Sequence, residues 1–364
     1  MSLRICMPWN AGRGAGLGNE LIPWARAYVA ATVLGAELRA PAFGLNQRRY
    51  WRHFGTPRHD WLTQRALAAV LPVVEFSVQD YADSGSNDLP TAIRQHAARH
   101  HLHERRAYLW RTSGMWGGYH HLAEARDFVR ATLHRSRFAP ANLLALHGRL
   151  DPARITVGMH VRLGDFLNAE GAENYRSRFN VALPLAWYVR IAQGIREQLG
   201  EQVQFLVVSD GTPEQLAPLT GPLGAVTTCD MQDTDCSDLL ALSACDLLVC
   251  SVSSYSAWAA FLSDANYLWF EPNLHPHAEG VYSIWGHEAA QQLTGSPTRA
   301  ACDLYQRATG PWHGRGIPVG MEGHLPAGLL DGLAARCVRR NPAADLISYG
   351  VMPRAPLPAL EEVV

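Results

Sequence analysis

The chain has 364 residues, 48% of them hydrophobic and 18% charged, which gives two domains with enough apolar material for a core in each. The 32 basic and 33 acidic residues leave a net charge of −1, so there is no general pull toward nucleic acid or an anionic membrane. Seven cysteines, an odd number in a long chain, argue against a disulfide framework.

Residues 4–8 form a short apolar run, followed by the glycine-rich turn Gly12-Arg-Gly-Ala-Gly-Leu-Gly18. A helix is predicted over 19–34, with Leu21, Trp24, Ala25, Tyr28 and Ala31 near helical spacing and Asn19 as its N-cap. The glycine turn has two further readings, a solvated turn or a dinucleotide fingerprint. The second lacks an acidic residue at the end of a following strand. Residues 37–150 alternate helical patterns with aromatic and basic loops in no order that the pattern fixes. Within them, His96, His100, His101 and His103 lie among Arg94, Arg99, Arg105 and Arg106. This group reads as a basic solvated face, or a surface for an anionic acceptor, in preference to a metal site. Trp9, Trp24, Trp51, Trp61, Trp110 and Trp116 are read mainly as core, although any of them is suited to stack on a sugar.

His147-Gly-Arg-Leu-Asp-Pro reads as a linker, placing a boundary near residue 150. Beyond it, apolar strands at 155–160, 205–209, 247–250 and 267–270 alternate with helices opening at Pro184, at Thr212-Pro-Glu-Gln (a capping box), near Ser237 and after Ser254. Such alternation predicts a parallel sheet covered on both faces, with its ligands at the carboxyl ends of the strands. His160, Asp210 and the serines 251–254 fall at those ends. No basic and apolar leader opens the chain, and the uncharged stretch 247–263 is short for a bilayer span, so the expectation is a cytoplasmic protein without a membrane span. Cys229, Cys236, Cys245 and Cys250 lack zinc-knuckle spacing and read as small buried hydrophobes of a reducing compartment.

Four pieces carry chemistry. They are Gly16-Leu-Gly-Asn19; His160-Val-Arg162-Leu-Gly-Asp165; Val208-Ser-Asp210; and the run from Asp238 through Ser253 and Ser254. An Arg at a strand mouth offers a fixed fork to a phosphate, with Asp165 placed either to hold that fork or merely to brace the loop through it. In order, these pieces resemble the GDP-fucose-dependent fucosyltransferases of the α1,2/α1,6 group. That resemblance implies a GT-B fold, two Rossmann-like domains facing a cleft. The acceptor-side domain would be 1–150, the nucleotide-sugar domain 151–340, and 341–364 a tail packing back.

The resemblance further implies metal-independent, inverting transfer from GDP-fucose or another GDP-sugar, with no cofactor beyond that co-substrate. The acceptor would be a glycan or small molecule. Arg162 and Ser254 would hold the diphosphate, with Ser253 beside them, and Asp238 and His160 the guanine. Gly16, Gly18 and Asn19 would face the donor. Asp210 would contact the ribose or base, or cap its own turn. Glu170 lies at the spacing of the catalytic Glu of the α1,6 enzymes and is the candidate general base, with Glu173 its competitor. Leu163 replaces a second Arg common in the group, and Phe166 replaces a Lys beside the base. Two other functions stay open. One is a different donor class with metal at Asp233 and Asp235, whose alternative use is helix capping. The other is a nucleotide-sugar binding protein without turnover.

Overall fold

A computed structural model describes residues 2–9, 15–86, 88–116, 119–164, 167–168, 175, 181–276, 282–283, 315–326, 328–335 and 347–348. The first half runs β1 (Leu3–Pro8), α1 (Leu17–Leu34), β2 (Glu37–Leu38), α2 (Trp51–Phe54), α3 (Asp60–Val70), β3 (Val73–Glu75), α4 (Val78–Asp83), α5 (Leu89–Arg99) and β4 (Ala107–Thr112). Its four strands are all parallel, in the order β2-β1-β4-β3. Two helices follow, α6 (Arg126–His134) and α7 (Ala139–His147).

The second half runs β5 (Ile155–Val161), β6 (Leu167–Asn168), β7 (Val181–Ala182), α8 (Leu185–Leu199), β8 (Val203–Ser209), α9 (Pro213–Leu223), β9 (Val226–Thr227), α10 (Asp235–Ser243), β10 (Leu247–Val249), α11 (Ser254–Leu262) and β11 (Asn266–Phe270). The short strands β12 (His275–Pro276), β13 (Tyr282–Ser283) and β14 (Gly316–Val319), helix α12 (Leu329–Ala334) and β15 (Ile347–Ser348) come last. Six of these strands form a second parallel sheet, β14-β11-β10-β5-β8-β9. Pro318 sits in β14, an edge strand, where a missing N–H is tolerated.

The second sheet reverses its strand order once, between β5 and β10, whose onward connections leave in opposite directions. In open α/β sheets the crevice at such a reversal is where ligands bind. One apolar core runs through both halves, because α1 and α6 pack on α10 and α11. Ile5, Met7, Leu71 and Leu109 form a small second core under α3.

From Ser256 to Leu262 helix α11 is buried on every side, as a helix packed between two layers must be. Three arginines clamp its C-terminal end, where free carbonyls and the negative end of the helix dipole favour cations. Arg126, from α6, donates to the carbonyls of Phe261, Leu262 and Ser263 at 2.8–2.9 Å and pairs with Asp264. Arg130 donates to the Leu262 carbonyl, and Arg315 to those of Ala260, Ser263 and Ala265.

His96 departs from the solvated face expected of it. It falls on the apolar stripe of α5 with Leu89, Ala92, Ile93 and Ala97, is fully buried, and bonds the Glu75 carbonyl through Nε2 at 3.0 Å. Burial lowers its pKa to about 4. Arg94, Arg99, His101, His103 and Arg106 are exposed, as expected. Trp24, Trp110 and Trp116 are core, whereas Trp9, Trp51 and Trp61 are half-buried. Among the described residues no helix is long and apolar enough to cross a membrane.

Arg26, inside α1, is buried without a carboxylate partner in hydrogen-bonding distance among the described residues. Its fork donates to Thr112 Oγ1 (2.7 Å) and to the carbonyls of Ser113, Gly114 and Trp116 (2.7–3.1 Å), and it stacks 3.5 Å over the Trp116 ring. Burial lowers its pKa only to about 9, so the clamp stays charged at neutral pH. Arg26→Met keeps the stem but leaves four acceptors without their donors. It should cost about 2–4 kcal/mol, read as a lower midpoint in chemical denaturation; an unchanged midpoint would show that the clamp contributes nothing.

Candidate active site

The second sheet's strand reversal gathers most of the sequence-predicted residues. His160 lies near the carboxyl end of β5 and is 5% exposed. Its Nδ1 faces three hydroxyls, Ser256 Oγ at 2.7 Å, Ser251 Oγ at 2.9 Å and Ser253 Oγ at 3.4 Å. Those serines converge because β10 ends at Val249 and the chain turns directly into α11. Ser253 is the N-cap of that helix and accepts from the Ser256 N–H at 3.1 Å. The Tyr188 hydroxyl donates to the His160 carbonyl, and the Tyr255 ring lies 4.9 Å from the imidazole. Burial, with Arg162 nearby, lowers the His160 pKa to about 3, so the ring is neutral at working pH.

Arg162 emerges from the same strand end and pairs through Nη1 with Asp210 Oδ2 at 3.0 Å, the two side chains being 17% and 31% exposed. The other Asp210 oxygen accepts the Leu163 N–H at 2.9 Å. Asp210 does not cap its own turn: both oxygens brace the loop after β5. Gly164 makes this possible, since a Cβ there would lie 2.7 Å from Asp210 Oδ2. Asp165, Phe166, Glu170 and Glu173 lie outside the described residues.

The Gly-Leu-Gly-Asn turn meets this site from the other half of the molecule. Helix α1 begins at Leu17 with Gly16 as its N-cap, so Asn19 is not the cap expected of it but sits inside the first turn. The reason is a distant partner, for Asn19 Oδ1 accepts from Ser254 Oγ at 2.6 Å. The single Ser254 hydroxyl proton is thereby directed at Asn19, which leaves this helix end its backbone N–H groups and dipole to offer an anion. The first turns of α1 and α11 touch: a Cβ on Gly18 would lie 2.6 Å from Ser254 Oγ and 2.9 Å from Tyr255 N. Trp258 Nε1 donates to the Gly18 carbonyl at 2.7 Å, and the Tyr119 hydroxyl to the Ser254 carbonyl at 3.0 Å.

Asp238, in the first turn of α10, is 6% exposed. Its Oδ2 accepts from Thr228 Oγ1 at 3.1 Å, while Oδ1 is buried and no hydrogen bond reaches it. Burial pushes the carboxyl up to about 7, only partly offset by the nearby hydroxyls of Thr234 and Thr228. Asp233 and Asp235 do not cap α10. Its N-cap, Thr234, makes no side-chain cap bond, and the two carboxylates meet side chains of α2 instead: Arg52 at 2.9 Å from Asp233, and His53 Nε2 at 3.3 Å from Asp235. Among the described residues no group of three or more His, Cys, Asp or Glu is placed to hold a metal ion. Cys236, Cys245 and Cys250 are buried as expected, and burial holds their thiols well above the usual range.

Sequence reasoning passed over two contributors. Ser256 is the first; its i+3 spacing from Ser253 at a helix start was the available signal. Glu20 is the second. It follows Asn19 directly, is buried, accepts from Asn46 Nδ2 at 3.1 Å, and is pushed by burial up to about 7.

The raised Asp238 pKa fixes the sign of a pH effect. Its favourable contribution is full below the unfolded-state value, near 4, and is lost as pH rises through about 7. Relative to wild type, Asp238→Asn should therefore be of similar stability at pH 3–4 and more stable at pH 8 by roughly 2–4 kcal/mol, as measured by denaturant unfolding at both pH values. Parallel pH profiles for the two proteins would contradict a buried, proton-retaining Asp238.

Comparison with known proteins gives a family. The family model described as glycosyl transferase family 11 matches residues 87–277, just over half of the chain. No curated protein gives a significant match. Among solved structures, the fucosyltransferase NodZ from Bradyrhizobium overlaps 72% of this chain and 94% of its own, with 14% identity and a TM-score of 0.41. POFUT1 in complex with GDP-fucose overlaps 72% and 95%, with 11% identity and a TM-score of 0.40. The ADP-heptose LPS heptosyltransferase II of E. coli overlaps 74% and 85%, with 12% identity and a TM-score of 0.36. The family assignment rests on the sequence match, and by it the chain belongs to glycosyl transferase family 11.

Proposed function

We propose that this glycosyltransferase moves fucose from GDP-fucose to a hydroxyl of a glycan or small-molecule acceptor, with inversion and without a metal. One observation supports the donor site above the others. The first turns of α1 and α11 meet at Gly18 and Ser254, and Ser253, the N-cap of α11, faces His160, two residues before Arg162 at the strand end that borders the reversal between β5 and β10. Two helix N-termini and one guanidinium bring positive potential to one place, as a diphosphate requires.

In the transfer, the acceptor oxygen bonds to the anomeric carbon as the carbon–oxygen bond to the diphosphate breaks. The electron pair leaves with GDP, and the acceptor's proton passes to a base. Arg162 stabilises the charge that grows on the leaving diphosphate, and Asp210 keeps its fork in place. Asp238, whose Oδ1 has no hydrogen bond, would read the paired N–H donors of the guanine edge, which adenine lacks, giving up its proton as they bind. Neutral His160, fixed by the serines, borders the base. Glu170 is proposed as general base, with Glu173 its competitor. Residues 1–150 would serve the acceptor, 151–340 the nucleotide sugar, and 341–364 would pack back, in a cytoplasmic enzyme. The ion pair of Asp233 with Arg52 supports the metal-independent form, because that carboxylate already has a cation beside it, and Asp235 faces the His53 imidazole.

Thermal unfolding with ~1 mM GDP, ADP or UDP, each with and without EDTA, tests the donor. A ligand held at ~10 μM adds roughly 2.7 kcal/mol of apparent stability. A shift with GDP alone, unaffected by EDTA, is expected; a UDP shift abolished by EDTA would replace this reading with a metal-dependent one. Transfer itself is tested by Arg162→Ala, expected to lower turnover of GDP-fucose roughly 100-fold or more with a melting temperature near wild type. Full activity in that variant would remove Arg162 from the mechanism.

A further inference from the structure

Helix α3 presents to solvent the flank that a surface helix ordinarily buries. Its inner side is held by Leu67 and Ala68, which pack on the small second core of Ile5, Met7, Leu71 and Leu109. Gln64 also turns inward, buried, with Nε2 donating to the Ala40 carbonyl at 2.7 Å. The opposite flank is apolar. Leu62, Ala66, Ala69 and Val70, at i, i+4, i+7 and i+8, are all exposed, Leu62 by 53% and Val70 by 81%. Exposed Pro72 and Val73 continue this surface into the edge strand β3. A single exposed leucine needs no explanation, but a contiguous apolar face marks a contact.

The charge around this face has one sign. Between residues 45 and 74 the chain holds five arginines and a single carboxylate, Asp60, in the first turn of α3. Arg58 and His59, just before the helix, and Arg65, at the margin of the apolar flank, are exposed. The Arg65 guanidinium lies 5.6 Å from the centroid of the half-buried Trp61 ring. The turn Phe43–Leu45 packs on the same end of α3, since Gly44 lies against the Arg58 carbonyl and the Trp61 ring with no room for a Cβ. Leu45 is exposed beside it, as are Arg48 and Arg49 further on. Glu75, the next carboxylate in the chain, is paired with Arg111 at 2.8 Å.

We propose that α3 docks this protein on an anionic phospholipid surface, lying in the plane of the headgroups with Leu62, Ala66, Ala69 and Val70 at the acyl boundary. An interfacial helix needs an apolar face and cations that reach the headgroup phosphates, and this one has both. Arginine suits the phosphates because its fork donates bidentately. A second copy of the chain is a poorer occupant, because a two-fold contact through this face brings the arginines of both copies together. The net charge of −1 does not oppose docking, since screening leaves the decision to the charges close to the surface.

The test is co-sedimentation of the full chain with vesicles of phosphatidylcholine alone, or of phosphatidylcholine with about one-third phosphatidylglycerol. Wild type is expected to bind the anionic vesicles and not the neutral ones, and to be released as salt rises from ~0.1 M to ~1 M. Leu62→Ser/Val70→Ser should weaken binding roughly tenfold or more, and Arg58→Glu/Arg65→Glu by a similar factor. All four side chains are exposed, so the melting temperature of both variants should stay near wild type. Arg94→Glu/Arg99→Glu reverses two exposed charges on α5, which packs on the other face of the sheet, and should leave binding unchanged. Absence of binding to anionic vesicles, equal binding to neutral ones, or full binding by both α3 variants would each overturn the proposal. An equal loss in Arg94→Glu/Arg99→Glu would overturn it too, by showing attraction without a docking face. A dimer in sedimentation velocity that Leu62→Ser/Val70→Ser abolishes, without vesicle binding, would give the face to a second copy instead.

Discussion

The contact between Gly18 and Ser254 is the constraint on which the rest of the structure depends. It joins residues more than two hundred positions apart at a distance that admits no side chain on Gly18. Around it Trp258 bonds the Gly18 carbonyl, Asn19 receives the Ser254 hydroxyl, and Tyr119 closes on the Ser254 carbonyl. The far end of α11 is fixed with equal care, since Arg126 and Arg130 reach it from α6 and Arg315 from the segment before β14. A helix held at both ends presents its N-terminus to the proposed donor site with little freedom. That is what stabilisation of a developing charge needs, because donors already in place do not have to reorganise as the charge forms.

The polar groups of the site are held in the states that burial favours. His160 is neutral among serine hydroxyls, and Asp238 and Glu20 keep their protons to about 7. Arg162, by contrast, is less buried and keeps a carboxylate partner in Asp210. In the proposed donor site a diphosphate would compete with Asp210 for the Arg162 fork but not for the backbone N–H groups of the helix ends. Affinity from the helix ends and charge stabilisation from Arg162 would then be separable, the second growing as the leaving group gains charge.

The donor half was legible because its strands are short unbroken apolar runs between well-signalled helix starts. Thr212-Pro-Glu-Gln does form a capping box with Pro at the first turn, and Ser253 does cap α11. The N-terminal sheet was not legible, because β2 has two residues and β3 three, too few for a period to register. The misplaced side chains share another cause. Asn19, Asp233 and Asp235 were assigned to local capping, yet each is bound to a residue in the other half of the chain, Ser254, Arg52 or His53. Local propensity ranks the nearest unsatisfied backbone group first and carries no information about a partner brought near by folding. His96 failed for a different reason. Its histidine and arginine neighbours suggested solvent, whereas its helical phase, in register with Ala92 and Ile93, decided its burial.

Group transfer requires two ligands whose reacting atoms come within bonding distance while each keeps its own recognition surface. The two parallel sheets are separate frames for such surfaces, and the first turns of α1 and α11 join them, with Gly18 packed without a Cβ against Ser254 and Tyr255. A bulkier residue at 18 would push α1 off α11 and so act on both halves of the molecule at once. Glycine at this position therefore sets the spacing between the halves.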